Sequence, residues 1–433
     1  MKKKILNVIL SLTVIFQISA CGGTNTPAGT SQTAAGSNRE EAAVSAAETD
    51  KTAVPETDND SGEQSFRIGI VTGSYAQSED DRRGAEAFRE KYGADKVTLA
   101  VYPDNFTEEA DTTVQTIVNL ADDPEMKAII VNQAVDGTTE AFRRIREKRP
   151  DILLIAGEAY EDFSDIEPVS DLVVNCDFVN RGYLIIRTAH ELGCDTFVHI
   201  SFPRHMSYET VARRVAVMEA ACGEFGMTFV KEEAPDPTTD AGVPGAQSYI
   251  LEHVPEWVEK HGEKTAFFCT NDAHTEPLIK KLLECGGYFI EADLPSPLMG
   301  YPGALDLDLA KEAGDFEKIL AKVEDAVVKA GGAGRFGTWA YSYGYTVSAG
   351  LAEHARNVIL GESELTAIND LAKAYSVFSQ GADWNGAAYI DAATGSRSDN
   401  TILVYQDTYI FGDPGYYVGA TKIVVPEKYF TVE

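Results

Sequence analysis

Amides, carboxylates and hydroxyls stand just beyond the ends of apolar runs throughout this 433-residue sequence. Their chemistry is that of holding a small polar molecule. Thr72, Ser74 and Tyr75 close or follow the run 67–72, Asn132 and Gln133 follow 127–132, Glu158 and Tyr160 follow 152–156, and Asp177 follows 172–175. In the second half, Arg204 and His205 follow 196–201, Asn271 and Asp272 follow 265–270, and Tyr301 ends 298–301. Carboxylates and amides pair with sugar hydroxyls, a tyrosine face covers a ring or base, and an arginine fork grips a carboxylate or phosphate. Each also has a plain structural reading. Asp272 can cap the helix it begins. Glu158 can be a solvated loop charge, Asn132-Gln133 a turn, and Arg204, between Phe202 and Met206, a surface cation. Trp339 and Tyr341 read as core.

Signatures of catalysis are sparse. The sequence has no His-Glu-x-x-His, no Gly-x-Ser-x-Gly and no phosphate loop. Gly332-Ala333-Gly334-Arg335-Phe336-Gly337 matches a dinucleotide fingerprint in letters, but it follows a helical stretch instead of linking strand to helix. His253 and His261 flank a helix with no third ligand beside them, which argues against zinc. The expectation is a protein that is not an enzyme and needs no cofactor or metal. The enzymatic alternative would use His205 with Asp272 as acid and base.

The elements that must position these groups alternate. Runs 67–72, 96–102, 127–132, 152–156 and 172–175 are separated by amphipathic helical stretches such as 80–92, 107–120 and 138–147. The pattern then starts again with runs 196–201, 228–230, 265–270, 288–291 and 298–301 between helices at 180–192, 208–225, 247–261 and 276–285. This order predicts an α/β fold of two doubly wound lobes, with near-continuous apolar strands covered on both faces. Ligands of such sheets lie beyond the carboxyl ends of the strands. Asp413-Pro414-Gly415 marks a turn, so the tail adds strands of its own.

Composition narrows the partners. A formal net charge of −31 repels nucleic acid and anionic lipid, and 44% hydrophobic residues can fill two cores. Three lysines at positions 2–4, an apolar stretch too short to span a bilayer, and small residues before Cys21 form an export signal over residues 1–20. Ile18-Ser19-Ala20-Cys21 resembles a bacterial lipobox, which implies lipidation of Cys21 and a lipid-anchored place on the extracytoplasmic face of the cell envelope. Residues 21–65 read as a disordered tether reaching roughly 35–40 Å. The other cysteines, at 176, 194, 222, 269 and 285, sit mostly at ends of apolar runs and read as small buried hydrophobes.

The opening Ile68-Gly69-Ile70-Val71-Thr72-Gly73-Ser74 resembles the first strand and ligand loop of type 1 periplasmic-type substrate-binding proteins. Phe267–Ala273, with Asn271-Asp272, resembles the Asn-Asp motif of the family's sugar-binding members, Arg213 falls where the family places an arginine, and 344–361 resembles a late first-lobe helix. Tyr102–Phe106 and Ser201–Glu209 resemble a group of uncharacterised lipoproteins from anaerobic bacteria. The resemblance implies three crossings between lobes: near Asp177, near Pro302-Gly303, and between Ser363 and Val377. The lobes would then be 66–177 with about 303–375, and 178–302 with about 376–433. It also implies capture of a small-molecule ligand, sugar or nucleoside-like, for a membrane permease of an ABC-type importer, or alternatively for a signalling receptor.

Overall fold

Five-residue runs such as Ile68-Gly69-Ile70-Val71-Thr72 are buried along their whole length. A strand in this state needs apolar cover on both faces, and alternate residues supply it. The computed structural model describes residues 66–240 and 242–431; the expected export signal, Cys21 and the expected tether lie outside the described residues.

The first lobe is built from β1 (Ile68–Thr72), α1 (Tyr75–Tyr92), β2 (Val97–Val101), α2 (Ala110–Leu120), β3 (Ala128–Ala134), α3 (Thr138–Lys148), β4 (Leu153–Ala159), α4 (Phe163–Ile166) and β5 (Leu172–Cys176). Its strands lie parallel in the order β2-β1-β3-β4-β5. Val71, Ile129, Val131, Leu154 and Val173 face α2 and α3, while Ile70, Ile130, Ile155 and Val174 face the opposite core.

After Asp177 the chain enters the second lobe: α5 (Phe178–Glu191), β6 (Thr196–Ser201), α6 (Pro203–Met206), α7 (Glu209–Phe225), β7 (Thr228–Glu233), α8 (Gly242–His261), β8 (Thr265–Cys269), α9 (Asp272–Cys285), α10 (Tyr301–Ala304), α11 (Phe316–Lys329) and β9 (Gly337–Trp339). Strands β7-β6-β8 are parallel. Single bridges from Ala266 to Tyr288 and from Phe289 to Phe336 carry the sheet on to β9. Leu298–Tyr301, expected as a strand, instead leads into the short helix α10, with Pro302 in its first turn.

The chain then returns through α12 (Tyr343–Ile359), α13 (Ile368–Ser376), β10 (Trp384–Ile390) and β11 (Arg397–Gln406), and ends its sheets with β12 (Thr408–Ile410) and β13 (Tyr416–Tyr417). β11 runs parallel to β5, pairing Ile402 with Val174, and β10 closes that edge antiparallel. β12 pairs antiparallel with both β9 and β13, with Asp413-Pro414-Gly415 at the turn. Two expected crossings are therefore corrected. Phe316, Ile319, Val323 and Val327 of α11 pack with Phe267 and Leu278, so the second lobe extends past Pro302-Gly303 to about residue 340. The third crossing falls not between 363 and 377 but at Asp407, because residues 384–406 belong to the first sheet. The result is two Rossmann-like α/β lobes.

Helix α12 lies directly against α1. A Cβ on Gly84 would overlap the Tyr345 carbonyl, so Gly84→Ala is expected to force the helices apart and to cost about 1–3 kcal/mol. Urea unfolding of the variant against the parent checks this, and an unchanged midpoint at equal slope would refute it.

Candidate functional site

Between the lobes lies a cavity of about 1120 Å³. The first lobe contributes the end of β4 and the segment after it, residues 158–164, together with Glu167 and Asn175. From the second lobe come Phe178 at the start of α5, His205 and 207–211 after β6, Thr270, Asn271 and Asp272 after β8, and Asp293-Leu294. A third wall is the turn of the β10–β11 hairpin: Tyr389, Asp391, Thr394 and 396–398.

Of the thirteen expected site residues, Glu158, Tyr160, His205, Asn271 and Asp272 line this cavity. The other eight do not, and each has a structural occupation. Thr72 is buried and donates to the Gly73 carbonyl. Ser74 caps α1 by accepting from Ala76 N. Tyr75 points outward and its hydroxyl donates to Glu86. Asn132 is fully buried inside the first lobe, donating to Asp81 and, at 2.8 Å, to Ser348 Oγ. Gln133 is half-buried beside it. Asp177 caps α5, accepting from Asn180 N at 2.8 Å and from the Asn180 side chain. Tyr301 is a core residue whose hydroxyl donates to the Gly337 carbonyl at 2.7 Å. Arg204 is locked to Asp236 by two bonds of 2.7 and 2.9 Å, so its fork is occupied by the protein's own carboxylate.

Arg213, singled out by resemblance, serves the third wall. Its guanidinium donates to the Ile390 carbonyl at 3.0 Å and to the Phe430 carbonyl, fixing the base of the hairpin. On the other side, Asn400 donates to the Glu167 and Ser170 carbonyls, 3.0 Å each. Tyr389 meets Phe163 edge to face at 4.8 Å.

The charge of the cavity is one-sided. Glu158, Glu161, Asp162, Glu167, Glu209, Asp272, Asp293 and Asp391 line it against Arg397. Several of these acids have partners. Glu161 accepts from Gly137 N, Thr139 N and Thr139 Oγ1. Glu167 accepts from Thr401 Oγ1, Asp391 from Thr394 N and Oγ1, and Asp293 pairs with the buried Arg214. Asp272, the first residue of α9, opens into the cavity instead. Its carboxyl is pushed up to about 6 by the loss of water between the walls and by Asp293 nearby. Burial also raises Glu158, which accepts from Cys176 N at 3.2 Å. His205, its Nδ1 3.2 Å from Thr270 Oγ1, is held below the usual imidazole range by burial and then by Arg204, so it adds no positive charge at neutral pH.

The aromatic lining, Tyr160, Phe163, Phe178, Tyr208 and Tyr389, completes the site. Sequence order hides most of it. Tyr389, Asp391 and Arg397 reach the cavity only through the pairing of β11 with β5, more than two hundred residues apart. Among the described residues no group of three or more acidic, histidine or cysteine side chains is arranged to hold a metal, and no helix is long and apolar enough to cross a membrane.

A family model described as "Protein of unknown function (DUF3798)" matches residues 66–337, and a second model without a functional description matches 348–432. An uncharacterised protein of Treponema pallidum (strain Nichols) is 43% identical over 209 residues, 48% of this chain and 94% of that protein; another from the same organism is 39% identical over 180 residues, 40% of this chain and 81% of that one. Among solved structures, a proposed transcriptional regulator from Clostridium difficile 630 superposes with a TM-score of 0.72 at 21% identity, over 80% of this chain and 99% of that chain. At that identity the likeness speaks to fold alone.

Proposed function

The chain belongs to the family described as "Protein of unknown function (DUF3798)", and from its cleft we propose that it is a receptor which captures a small polar solute between two lobes. The observation that carries this reading is the cavity of about 1120 Å³ whose walls come from the strand ends of both lobes. Ligands of open α/β sheets bind in that position. The crossings at 177, about 340 and 407 form a hinge across which the two walls can close on a bound solute.

Placement follows from the N-terminal sequence. Export and lipidation at Cys21 would hold the receptor at the extracytoplasmic face, where it would pass its solute, sugar or nucleoside-like in size, to the membrane permease of an ABC-type importer. Metabolic labelling with palmitate should label the parent and not Cys21→Ala.

Capture itself is tested by solution scattering and thermal unfolding across sugars, nucleosides, amines and carboxylates. A true ligand is expected to reduce the radius of gyration and to raise the midpoint, adding about 2.7 kcal/mol when present at 100 times its Kd. Failure of every class to do either would overturn the receptor reading.

A further inference from the structure

We infer that the solute is an organic cation, an amine or guanidinium group carried on a ring or apolar body, held between carboxylates and aromatic faces of opposing walls. This rests on the receptor reading above and narrows it. Two independent features of the cavity converge on it.

The first is the aromatic surface. Tyr160 presents its ring from the first lobe, Tyr208 from the second and Tyr389 from the hairpin. Such faces attract a cation through the ring quadrupole, and more strongly where water is excluded. The second is the fate of the basic residues. Arg204 is spent on Asp236, Arg214 on Asp293 and Arg181 on Glu291, while His205 stays neutral. Among the lining side chains that leaves Arg397 at the exposed rim. Asp272 enters from the second lobe and Glu158 from the first, so a cation between them would be gripped by both lobes at once and would favour the closed form. A low-dielectric cleft lined by one sign of charge also concentrates counter-ions and speeds their capture. An anionic solute would meet repulsion from every wall.

The carboxyl of Asp272 supports the same conclusion, since burial and the nearby Asp293 raise it to about 6. A bound cation would lower it.

The experiment is calorimetric titration of the full chain at pH 7.5 with matched pairs that share a body and differ in charge: glucosamine and N-acetylglucosamine, agmatine and butanol, choline and neohexanol, with glutamate and glucose 6-phosphate as anions. Saturable binding of a cation at least tenfold tighter than its neutral partner is expected. That preference should shrink at least tenfold in Asp272→Asn and in Glu158→Gln, and weaken as salt is raised. Asp272→Asn should keep or raise the melting midpoint of the free protein, which separates lost binding from lost folding. Equal or tighter binding of neutral or anionic members would overturn the cation assignment and leave the receptor standing. Binding of none, with no compaction by any solute, would overturn both.

Discussion

Replacing Glu291 with alanine is expected to cost about 3–5 kcal/mol of folding free energy, because it strands a buried guanidinium. Arg181 and Glu291 are each 1% exposed. Arg181 Nε donates to Glu291 Oε1 at 2.9 Å, and its other nitrogens donate to the Ala292 and Asp293 carbonyls at 2.8 and 3.0 Å. The guanidinium lies over Trp339, and Thr408 Oγ1 donates to the second Glu291 oxygen at 3.3 Å. One ion pair therefore joins α5, the 291–293 segment, β9 and β12, the elements that flank all three crossings. Breaking it should also loosen the hinge, so Glu291→Ala is expected to show faster proteolysis near residues 177 and 340. Glu291→Gln, which keeps the shape and a hydrogen-bond acceptor, should fall between parent and alanine. Replacing both partners with apolar residues should recover part of the loss, as buried pairs generally do. Urea unfolding decides the matter: a loss under about 1 kcal/mol would mean that water already reaches the pair.

How much of this was legible in the sequence follows from the range of each interaction. Apolar runs and helical periodicity are local, and they gave the alternation, the parallel sheets and the two lobes. Strand ends are local too, which is why the sequence places Glu158, His205, Asn271 and Asp272 where the cavity wall lies. Whether a polar residue at a strand end faces the cavity or folds back is not local. Arg204 meets Asp236 thirty-two residues on, and Asn132 meets Asp81 and Ser348 on two separate helices. Asp177 went the other way: its capping of α5 was available from sequence, since Asn180 stands three residues later. The lobe boundaries failed for a related reason. Helix α11 has an apolar stripe that either lobe could bury, and nothing in it specifies Phe267 over Val347. Hairpin β10–β11 joins the first sheet by a register that no local signal encodes. Its turn carries Asp391 and Arg397, so the charge of the cavity became readable only once that edge was in place.

Asp81→Asn is expected to stabilise the protein by about 2–4 kcal/mol more at pH 8 than at pH 5. Asp81 is 3% exposed, and its carboxyl is pushed up to about 8 by burial, then by Asp80 and Glu158. An aspartate in the unfolded chain titrates near 4. Below about pH 4 both states hold the proton. Between about 4 and 8 the unfolded chain releases it while the fold keeps it, so this group alone lowers stability with rising pH, by at most about 1.4 kcal/mol per unit. Above about 8 the fold also ionises and the penalty levels off. Local geometry agrees with a neutral acid. Asn132 Nδ2 donates to one carboxyl oxygen, a bond that a protonated Asp81 also accepts through its carbonyl oxygen. An asparagine keeps a carbonyl acceptor for that bond and stays neutral at every pH. Asp80 and Glu158 are also raised by burial, and taking the difference between variant and parent removes the part of their contribution that does not depend on the Asp81 charge. Urea midpoints for the two proteins at several pH values give the test. A variant that gains nothing on going from pH 5 to pH 8, or one that loses stability, would place a carboxylate at this site, held in its charged form by the walls around it.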